Sequence, residues 1–350
     1  MIEHTASRNM NVVSGETILP RASLTEVLRG SAMLVGSRFD AQRPRGFVSP
    51  IEARLRMGIP YGDMREAERD YFNQRTLGKD LGIVARTALA YLLSPSVAAP
   101  AVQRPFVVSA RVNNLAIHEA VEAVFAPPLP ARARLAFFVH AHALNLARFN
   151  RTYSGILAAA DYLLPDGIGI RMAANLLGVA LRHNINGTDL FPILCRECAK
   201  RNVPLVLIGG AVGVAAACAE RMQREIAGLK VPVVSPGFFS SEAELRDVVA
   251  RVRSIGRCLV LVGMGSPRQE EWSWKNLRDC AGATVLTVGG LFDFYSGRIP
   301  RAPIFLREAG LEWAYRLAQE PRRLAKRYLV GNPLFLALAL WQRLFGPKPF

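Results

Sequence analysis

This sequence has no apolar run long enough to cross a membrane. A spanning helix needs about 20 consecutive apolar residues, and the nearest candidate, residues 88–102, is interrupted by Pro95 and Pro100. The first residues also lack the basic stretch followed by an apolar stretch that marks a secretory signal. We therefore expect a cytoplasmic protein that contacts a membrane only peripherally, on the inner face of the plasma membrane.

Several ligand-binding motifs are missing as well. No Gly-x-Gly-x-x-Gly follows the first predicted strand and no Gly-Lys-Ser/Thr phosphate loop occurs, which disfavours a nicotinamide enzyme. No Asp-x-Asp pair is present to hold a metal on a nucleotide diphosphate. We expect arginines and backbone dipoles to replace that metal. Arg268, Arg298 and Arg301 are the candidates, and no cofactor or metal is expected.

Acidic residues are in short supply. The chain of 350 residues carries 28 Asp and Glu against 44 Lys and Arg, a net charge of +16. Such a balance indicates an anionic partner, namely nucleic acid, anionic lipid or a phosphorylated substrate. Because no nucleic-acid-binding motif is present, we expect an anionic membrane surface or a phosphorylated substrate and no nucleic acid.

Cysteine and histidine do not occur at the spacing of a complete set of metal ligands. Cys195 and Cys198 form a CxxC, but no second pair lies at zinc-ribbon spacing, and the pair falls in a predicted helix. We interpret both as core-facing side chains of a cytosolic protein. His140 and His142 form a His-x-His without an identifiable third ligand.

The chain divides by pattern into three parts. Residues 1–103 form an extension that we predict to be partly disordered or helical. Residues 104–297 alternate short, continuous apolar runs with amphipathic helices, a pattern typical of strands buried on both faces. This alternation predicts an α/β domain with a Rossmann-like parallel sheet flanked by helices. Residues 298–350, with ten basic and three acidic residues, predict a helical basic appendage. The predicted strands are 106–110, 135–139, 162–164, 203–208, 231–234, 258–262 and 284–288.

Four features follow predicted strands at their carboxyl ends, where open parallel sheets bind ligands. Asp166 follows one strand. Gly209 and Gly210 follow the next, Gly263 and Gly265 a third, and Gly289 with Asp293 a fourth. Glycines at such ends allow backbone N–H groups to approach a phosphate. Three glycine-rich ends on one sheet edge indicate a diphosphate site.

Asp166 has two interpretations. Between Pro165 and Gly167 it is typical of a turn aspartate that caps the following helix. A carboxylate at the end of a strand can instead deprotonate a sugar hydroxyl. The residues alone leave both open.

Taken together, these motifs resemble the WecG/TagA/CpsF glycosyltransferases over roughly residues 105–335. The order and spacing of the blocks make the resemblance specific. The matching blocks are 141–147, 160–170, 187–190, 263–272, 289–293, 301–303, 310–317 and 320–323.

The resemblance implies an inverting transfer from a UDP-sugar to a polyprenyl-diphosphate-linked saccharide, in bacterial exopolysaccharide or cell-surface polysaccharide synthesis. It places the catalytic base at Asp166. It implies a basic C-terminal appendage that closes over the active site at the membrane. Donor contacts are expected from His140, Asn145, Gly167, Gly209, Gly210, Gly263, Gly265, Gln269, Gly289 and Asp293.

The chain departs from the family pattern at two places. Phe138-Val-His140 replaces the frequent Thr-x-Asn, so His140 is expected to substitute for the Asn. Asn184-Ile185 replaces a frequent Arg-Val pair. Both differences concern the sugar pocket and leave the identity of the sugar open. A nucleotide-binding α/β oxidoreductase or a non-catalytic polysaccharide-assembly protein remains the alternative.

The C-terminal arginines are the predicted contact to the acceptor or the membrane. Arg316, Arg323 and Arg327 are spaced by seven and four residues, which predicts one helical face. Arg301 precedes them, and the apolar run 334–341 would supply an adjacent membrane anchor. The oligomeric state is open, a homo-oligomer included.

Overall fold

The structure, a computed structural model, describes residues 21–30, 32–37, 42–57, 59, 64–93, 103–129 and 131–347. The chain divides into two compact units. Residues 1–100 and 302–324 form the first, the N-terminal unit, and residues 101–301 and 325–350 form the second, the sheet unit.

In chain order the strands are β1 (Met33–Val35), β2 (Gly46–Val48), β3 (Phe106–Val107), β4 (Ala110–Arg111), β5 (Arg134–Val139), β6 (Tyr162–Pro165), β7 (Leu205–Gly209), β8 (Val233–Ser235), β9 (Leu259–Gly263) and β10 (Thr284–Thr287). The helices of the first half are α1 (Leu24–Leu28), α2 (Glu52–Met57), α3 (Met64–Asn73), α4 (Leu77–Leu93), α5 (Ile117–Phe125), α6 (Ala141–Phe149), α7 (Arg151–Ala158) and α8 (Ile168–Leu176). Those of the second half are α9 (Gly187–Lys200), α10 (Val214–Glu225), α11 (Glu242–Ile255), α12 (Arg268–Leu277), α13 (Leu291–Tyr295), α14 (Ile304–Glu308), α15 (Glu312–Gln319), α16 (Pro321–Ala325) and α17 (Gly331–Phe345), with a π-helical turn at Lys326–Val330.

The sheet unit contains six parallel strands in the order β6-β5-β10-β9-β7-β8. The Rossmann-like α/β fold with flanking helices is thus confirmed. Every residue of β5, β7, β9 and β10 is buried, as the uninterrupted apolar runs predict for strands covered on both faces.

Alternate strand residues build two separate cores. Phe137, Val260 and Val285 face α6, α7, α8, α11 and α12. Their neighbours in sequence, such as Phe138 and Leu261, pack on the other face with α5, α9 and α10. Burying each such side chain contributes roughly 1.5–3 kcal/mol. Because the six strands are parallel, their carboxyl ends lie at one edge of the sheet. The cores on both faces hold the strands in this arrangement.

The first predicted strand is wrong. Residues 106–110 do not join the sheet, because a turn at Val108 and Ser109 folds them into the antiparallel pair β3–β4. Val108 has a φ of +58°, and its N–H donates to Oε1 of Gln342 at 2.7 Å. A side chain from α17 thus stabilises the turn, and no local pattern in 106–110 encodes this contact.

The cysteine prediction is confirmed. Cys195 and Cys198 are free thiols buried on α9, and burial raises the pKa of the Cys198 thiol to about 12. Both therefore stay protonated and act as small apolar side chains.

The N-terminal unit has a small core of its own. β1 and β2 pair in parallel, and Val35 and Val48 pack with Ile83 of α4. The carboxylate of Glu68, buried in this unit, accepts hydrogen bonds from the hydroxyls of Ser37 and Ser49. This satisfies a charge that would be costly to bury alone. Helices α1–α4 lie within the predicted extension 1–103, and residues 1–20 and 94–102 lie outside the described residues.

The predicted C-terminal appendage is distributed over both units. Residues 302–324 belong to the N-terminal unit and residues 325–350 to the sheet unit. The single helical face expected for Arg316, Arg323 and Arg327 is wrong, because α15 ends before Glu320, which has a φ of −131° and a ψ of 59°. Pro321 then begins α16, since proline fits the first turn of a helix but cannot continue one.

The helix α17 belongs to the core of the sheet unit. Phe335 and Ala339 are fully buried on the face that packs against α6 and α8. Gln342, one turn further on, donates from Nε2 to the carbonyl of Phe106 at 3.0 Å. The helical appendage is therefore confirmed as a helix, but its last part is packed on the sheet unit along one whole face.

Candidate active site

Asp166 directly follows β6, at the edge predicted to bind ligands. Its N–H donates to the carbonyl of Val139 on β5 at 2.8 Å. Gly167 has a φ of +90° and stands at the N-cap position of α8. The N–H of Gly167 donates to Oδ1 of Asn184 at 2.7 Å. The turn that presents Asp166 is therefore held from both sides.

His140 lies next to Asp166 because Val139 and Pro165 are register partners in the β5–β6 pair. Its ring accepts a hydrogen bond at Nδ1 from the N–H of Ala143 at 3.0 Å and caps α6. A ring that accepts at Nδ1 carries its proton on Nε2 when neutral. The structure thus places two of the predicted site residues, His140 and Asp166, directly after neighbouring strand ends.

The predicted donor contact Asn145 has a different environment. Its side chain is buried, with 6% of the residue exposed, and its Nδ2 donates to the carbonyl of Gly331 at 2.7 Å. This bond joins α6 to the beginning of α17. A direct contact between Asn145 and a donor stays a prediction, whereas its contact with the C-terminal helix is present in the structure.

The ends of β7, β9 and β10 approach one another too closely for side chains. Gly209 has a φ of +145°, and a Cβ atom there would collide with the carbonyl of Gly263. A Cβ atom on Gly263 would in turn lie 2.7 Å from the carbonyl oxygen of Gly289. Gly209 and Gly263 are therefore required by the close approach of the backbones, and Gly289 supplies the carbonyl that approaches Gly263. Between β7 and β9 the chain leaves in opposite directions, to β8 and to β10, which is where such sheets bind ligands.

Three N–H groups of these glycine loops already have partners. Gly210 donates to the carbonyl of Gly263 at 2.9 Å. Gly265 and Gly289 both donate to Oε1 of Gln269, at 3.1 and 2.9 Å. These N–H groups shape the edge, so the diphosphate contacts expected from them are not available in this arrangement. Contacts from the remaining surface of the glycine loops stay a prediction.

Gln269 connects the two loops. It is 2% exposed, and besides accepting from both loops it donates from Nε2 to Oε1 of Glu270 at 2.7 Å. Glu270 also accepts from Ser266 at 3.0 Å and from the Tyr153 hydroxyl at 3.2 Å. We infer that Gln269 acts through the loops that it holds, and its direct donor contact stays a prediction.

Glu270 binds a proton near neutral pH. Burial raises the pKa of this carboxyl to about 7, and hydrogen bonds from Gln269 and Ser266 oppose the rise. The folded state binds the proton more tightly than the unfolded state. The Glu270 carboxyl therefore contributes most to the free energy of unfolding at pH values below its ordinary pKa of 4.5. The contribution is lost as the pH rises through 7.

We expect Glu270→Gln to remove this pH dependence. Between pH 6 and pH 8, the wild type should lose about 1 kcal/mol of unfolding free energy more than the variant does. Chemical denaturation at both pH values measures the difference. Glu271→Gln, one residue along α12, is the matched control and should keep the wild-type dependence. Equal slopes for wild type and Glu270→Gln would contradict the assignment.

The three arginines predicted to replace a metal are each paired within the sheet unit. Arg301 donates to Asp189 of α9 at 2.7 Å, which joins two of the motif blocks. Arg298 lies 3.5 Å from the carboxylate of Asp293. Arg268 donates to the carbonyl of Gly237 at 3.2 Å. Of the four predicted acceptor or membrane arginines, Arg301 and Arg327 belong to the sheet unit, and the other two, Arg316 and Arg323, to the N-terminal unit.

Metal ligation is not suggested by the arrangement of histidines. The rings of His140 and His142 stack with centroids 6.1 Å apart. Burial, together with the charge of Arg327, lowers the pKa of His142 to about 4. Within the described ranges, no group of three or more His, Cys, Asp or Glu residues could hold a metal ion. Metal independence itself stays a prediction.

Two contributors to the site were missed from the sequence. Asn184 was noted only as a departure from the family pattern, yet it holds Gly167 beside Asp166. The network of Glu270 and Tyr153 was missed because its partners lie 117 residues apart in the chain. A glutamate next to Gln269 on a predicted buried helix face was the available signal for Glu270.

Comparison with known proteins agrees with the motif blocks. The model of the "Glycosyl transferase WecG/TagA/CpsF family" matches residues 106–349. This chain belongs to the WecG/TagA/CpsF family. It is therefore a glycosyltransferase.

A curated member of the WecG/TagA/CpsF family is similar over much of its length. The N-acetylglucosaminyldiphosphoundecaprenol N-acetyl-beta-D-mannosaminyltransferase of Bacillus spizizenii is 32% identical over 200 residues, which cover 57% of this chain and 76% of that protein. The match from residue 106 onward includes the sheet unit and residues 302–324, whereas residues 21–93 lie outside it. Family membership decides against the oxidoreductase alternative.

Proposed function

We propose that this protein is an inverting glycosyltransferase that moves a sugar from a UDP-sugar to a polyprenyl-diphosphate-linked saccharide in bacterial exopolysaccharide or cell-surface polysaccharide synthesis. The observation that carries the proposal is the match to a relative whose name describes transfer to a diphosphoundecaprenol-linked N-acetylglucosamine. The sheet edge with Asp166 supports it, since sugar nucleotides bind at such edges.

In the proposed reaction Asp166 is the general base. The acceptor hydroxyl gives its proton to the Asp166 carboxylate while its oxygen forms a bond to the anomeric carbon of the donor. The bond from that carbon to the UDP phosphate oxygen breaks, and UDP leaves with its electron pair. Attack opposite the leaving group inverts the anomeric centre. His140, adjacent to Asp166, would contact the sugar through its protonated Nε2.

No metal ion is proposed for the leaving diphosphate. Arginine guanidinium groups form paired hydrogen bonds with phosphates, and Arg268, Arg298 and Arg301 follow the glycine-rich strand ends or the helix beside them. Each of the three also has a partner within the protein, so binding of UDP would exchange one of those contacts for a phosphate oxygen.

The acceptor proposed for this enzyme lies in a membrane, and α17 offers a surface for docking there. Opposite its buried face, Leu334, Trp341, Leu344 and Phe345 are exposed, with 49% of Trp341 and 74% of Phe345 accessible. An apolar face on a helix in a basic segment is typical of proteins that lie in the membrane interface. Within the part of the chain that the structure describes, no helix is long and apolar enough to span a bilayer.

We expect UDP to stabilise the protein and NAD to have no effect. A ligand that binds only the folded state at about 100 times its Kd adds about 2.7 kcal/mol, which raises the Tm by several degrees. Differential scanning fluorimetry with each nucleotide measures the shift. Release of UDP from a panel of UDP-sugars, with and without a polyprenyl-diphosphate acceptor analogue, then identifies the donor. Stabilisation by NAD alone, or no acceptor-dependent UDP release from any donor, would contradict the proposal.

A further inference from the structure

The N-terminal unit contains a buried ion-pair cluster that joins three distant segments. Glu308, at the end of α14, is 2% exposed. One oxygen of its carboxylate accepts a hydrogen bond from Nε of Arg54 on α2. The other oxygen lies 3.2 Å from Nη1 of Arg86 on α4. Each arginine keeps about a quarter of its side chain exposed, whereas the carboxylate is enclosed.

The helices around this cluster hold α14 in place. The helix contacts α2 and α4, which also contact each other, and it contacts α15. A carboxylate removed from water is costly unless both oxygens are paired. Arg54 on α2 and Arg86 on α4 can pair with both oxygens of Glu308 only when α14 brings the carboxylate within reach of both helices. The ion pairs therefore specify one position of α14.

The segment that is held belongs to the family match, but the elements that hold it do not. Residues 302–324 lie within 106–349, whereas α1–α4 precede residue 106. After the left-handed turn at Gly310, the same segment continues into α15 with Arg316 and reaches Arg323. Helices α2 and α4, which precede the family match, thus hold a segment that belongs to the family match.

We propose that the N-terminal unit is a positioning element for the acceptor-binding segment 302–324, and that Glu308, Arg54 and Arg86 are its positioning residues. This inference rests on the proposed function and on the prediction from the sequence that Arg316 and Arg323 meet the acceptor diphosphate or the anionic membrane. The cluster fixes α14, and α14 fixes the start of the segment that presents both arginines. Donor binding, a property of the sheet unit, does not depend on the cluster.

The test compares Glu308→Gln with the wild type in the full-length protein. Glutamine keeps the size of the side chain but removes the charge that pairs with Arg54 and Arg86. We expect hydrogen exchange of α14 and α15 amides to accelerate by about tenfold or more. The KM for a polyprenyl-diphosphate acceptor analogue should rise by about tenfold, while the KM for the UDP-sugar and the UDP-induced Tm shift stay at wild-type values.

Two further variants keep the result interpretable. Glu26→Gln removes an exposed ion pair of the same unit, Glu26 with Arg45 at 2.9 Å, and should behave like the wild type in every measurement. Arg86→Gln removes only one of the two partners of Glu308 and provides a milder test should Glu308→Gln fold poorly.

Three results would overturn the inference. The first is hydrogen exchange and an acceptor KM at wild-type values in both Glu308→Gln and Arg86→Gln. The second is faster hydrogen exchange without a change in the acceptor KM. The third is an effect of Glu26→Gln equal to that of Glu308→Gln. A wild-type enzyme that transfers nothing to the acceptor would instead refute the proposed function, which separates the two failures.

Discussion

Asp166→Asn should abolish most turnover and leave the fold and the binding of UDP intact. Asparagine has the same size but cannot take a proton from the acceptor hydroxyl, and general-base catalysis contributes roughly 10²–10⁴ in rate. The N–H of residue 166 would still donate to Val139, and Gly167 would still be held by Asn184. Steady-state kcat with the preferred UDP-sugar and the UDP-induced Tm shift measure the two properties.

The matched control for this experiment lies at the other end of the same strand. Asp161 precedes β6 and pairs with Arg132 at 2.7 Å and with the N–H of Leu135 at 2.8 Å. Asp161→Asn should therefore cost some stability but keep wild-type kcat. Wild-type turnover in Asp166→Asn would exclude this residue as the base, and an equal loss in Asp161→Asn would indicate a structural effect.

The second large effect is expected from the two faces of α17. Phe335 is fully buried against the sheet unit, so Phe335→Ala should reduce the free energy of unfolding by about 3–5 kcal/mol. Trp341, on the opposite face, is exposed, so Trp341→Ala should leave stability within about 0.5 kcal/mol of the wild type. Trp341→Ala should instead reduce recovery with vesicles that contain anionic phospholipid.

This pair of variants separates membrane docking from folding, which removal of the whole segment from residue 298 onward cannot do. Such a truncation would remove Phe335 and Ala339 from the core and Gln342 from the β3–β4 turn. Loss of activity would then follow from unfolding alone. Wild-type vesicle recovery by Trp341→Ala, with Leu344→Ala giving the same result, would exclude this face as the docking surface.

The sheet could be predicted from the sequence because its strands are buried on both faces. A strand such as β9 has no polar residue to interrupt the apolar run, so the pattern is visible without knowledge of its neighbours. The hairpin β3–β4 could not be distinguished from a sheet strand, because its turn depends on Gln342, more than 200 residues away. Pro321 indicates the break after α15, because proline cannot continue a helix. The spacing of Arg316, Arg323 and Arg327 alone predicts one helical face and does not show this break.

The positions of the candidate site residues were predictable where those residues directly follow strands. Asp166 and His140 adjoin because β5 and β6 pair, and that pairing follows from the order of the elements. The hydrogen bonds of Gly265, Gly289 and Gln269 were not predictable, since the same glycines are equally suited to contact a phosphate or another loop. Likewise, Glu308 meets Arg54 across 254 residues, a separation at which local patterns carry no information.

The close approach at Gly209 and Gly263 makes the ends of β7 and β9 intolerant of substitution. A Cβ atom on Gly209 or Gly263 would collide with the backbone of the neighbouring strand end, so even alanine at either position would force the strand ends apart. We therefore expect changes in sugar preference to arise at the turns after β5 and β6. A mutant library intended to redirect this enzyme to another sugar would then start at His140 and keep Asn184, which holds the turn that presents Asp166.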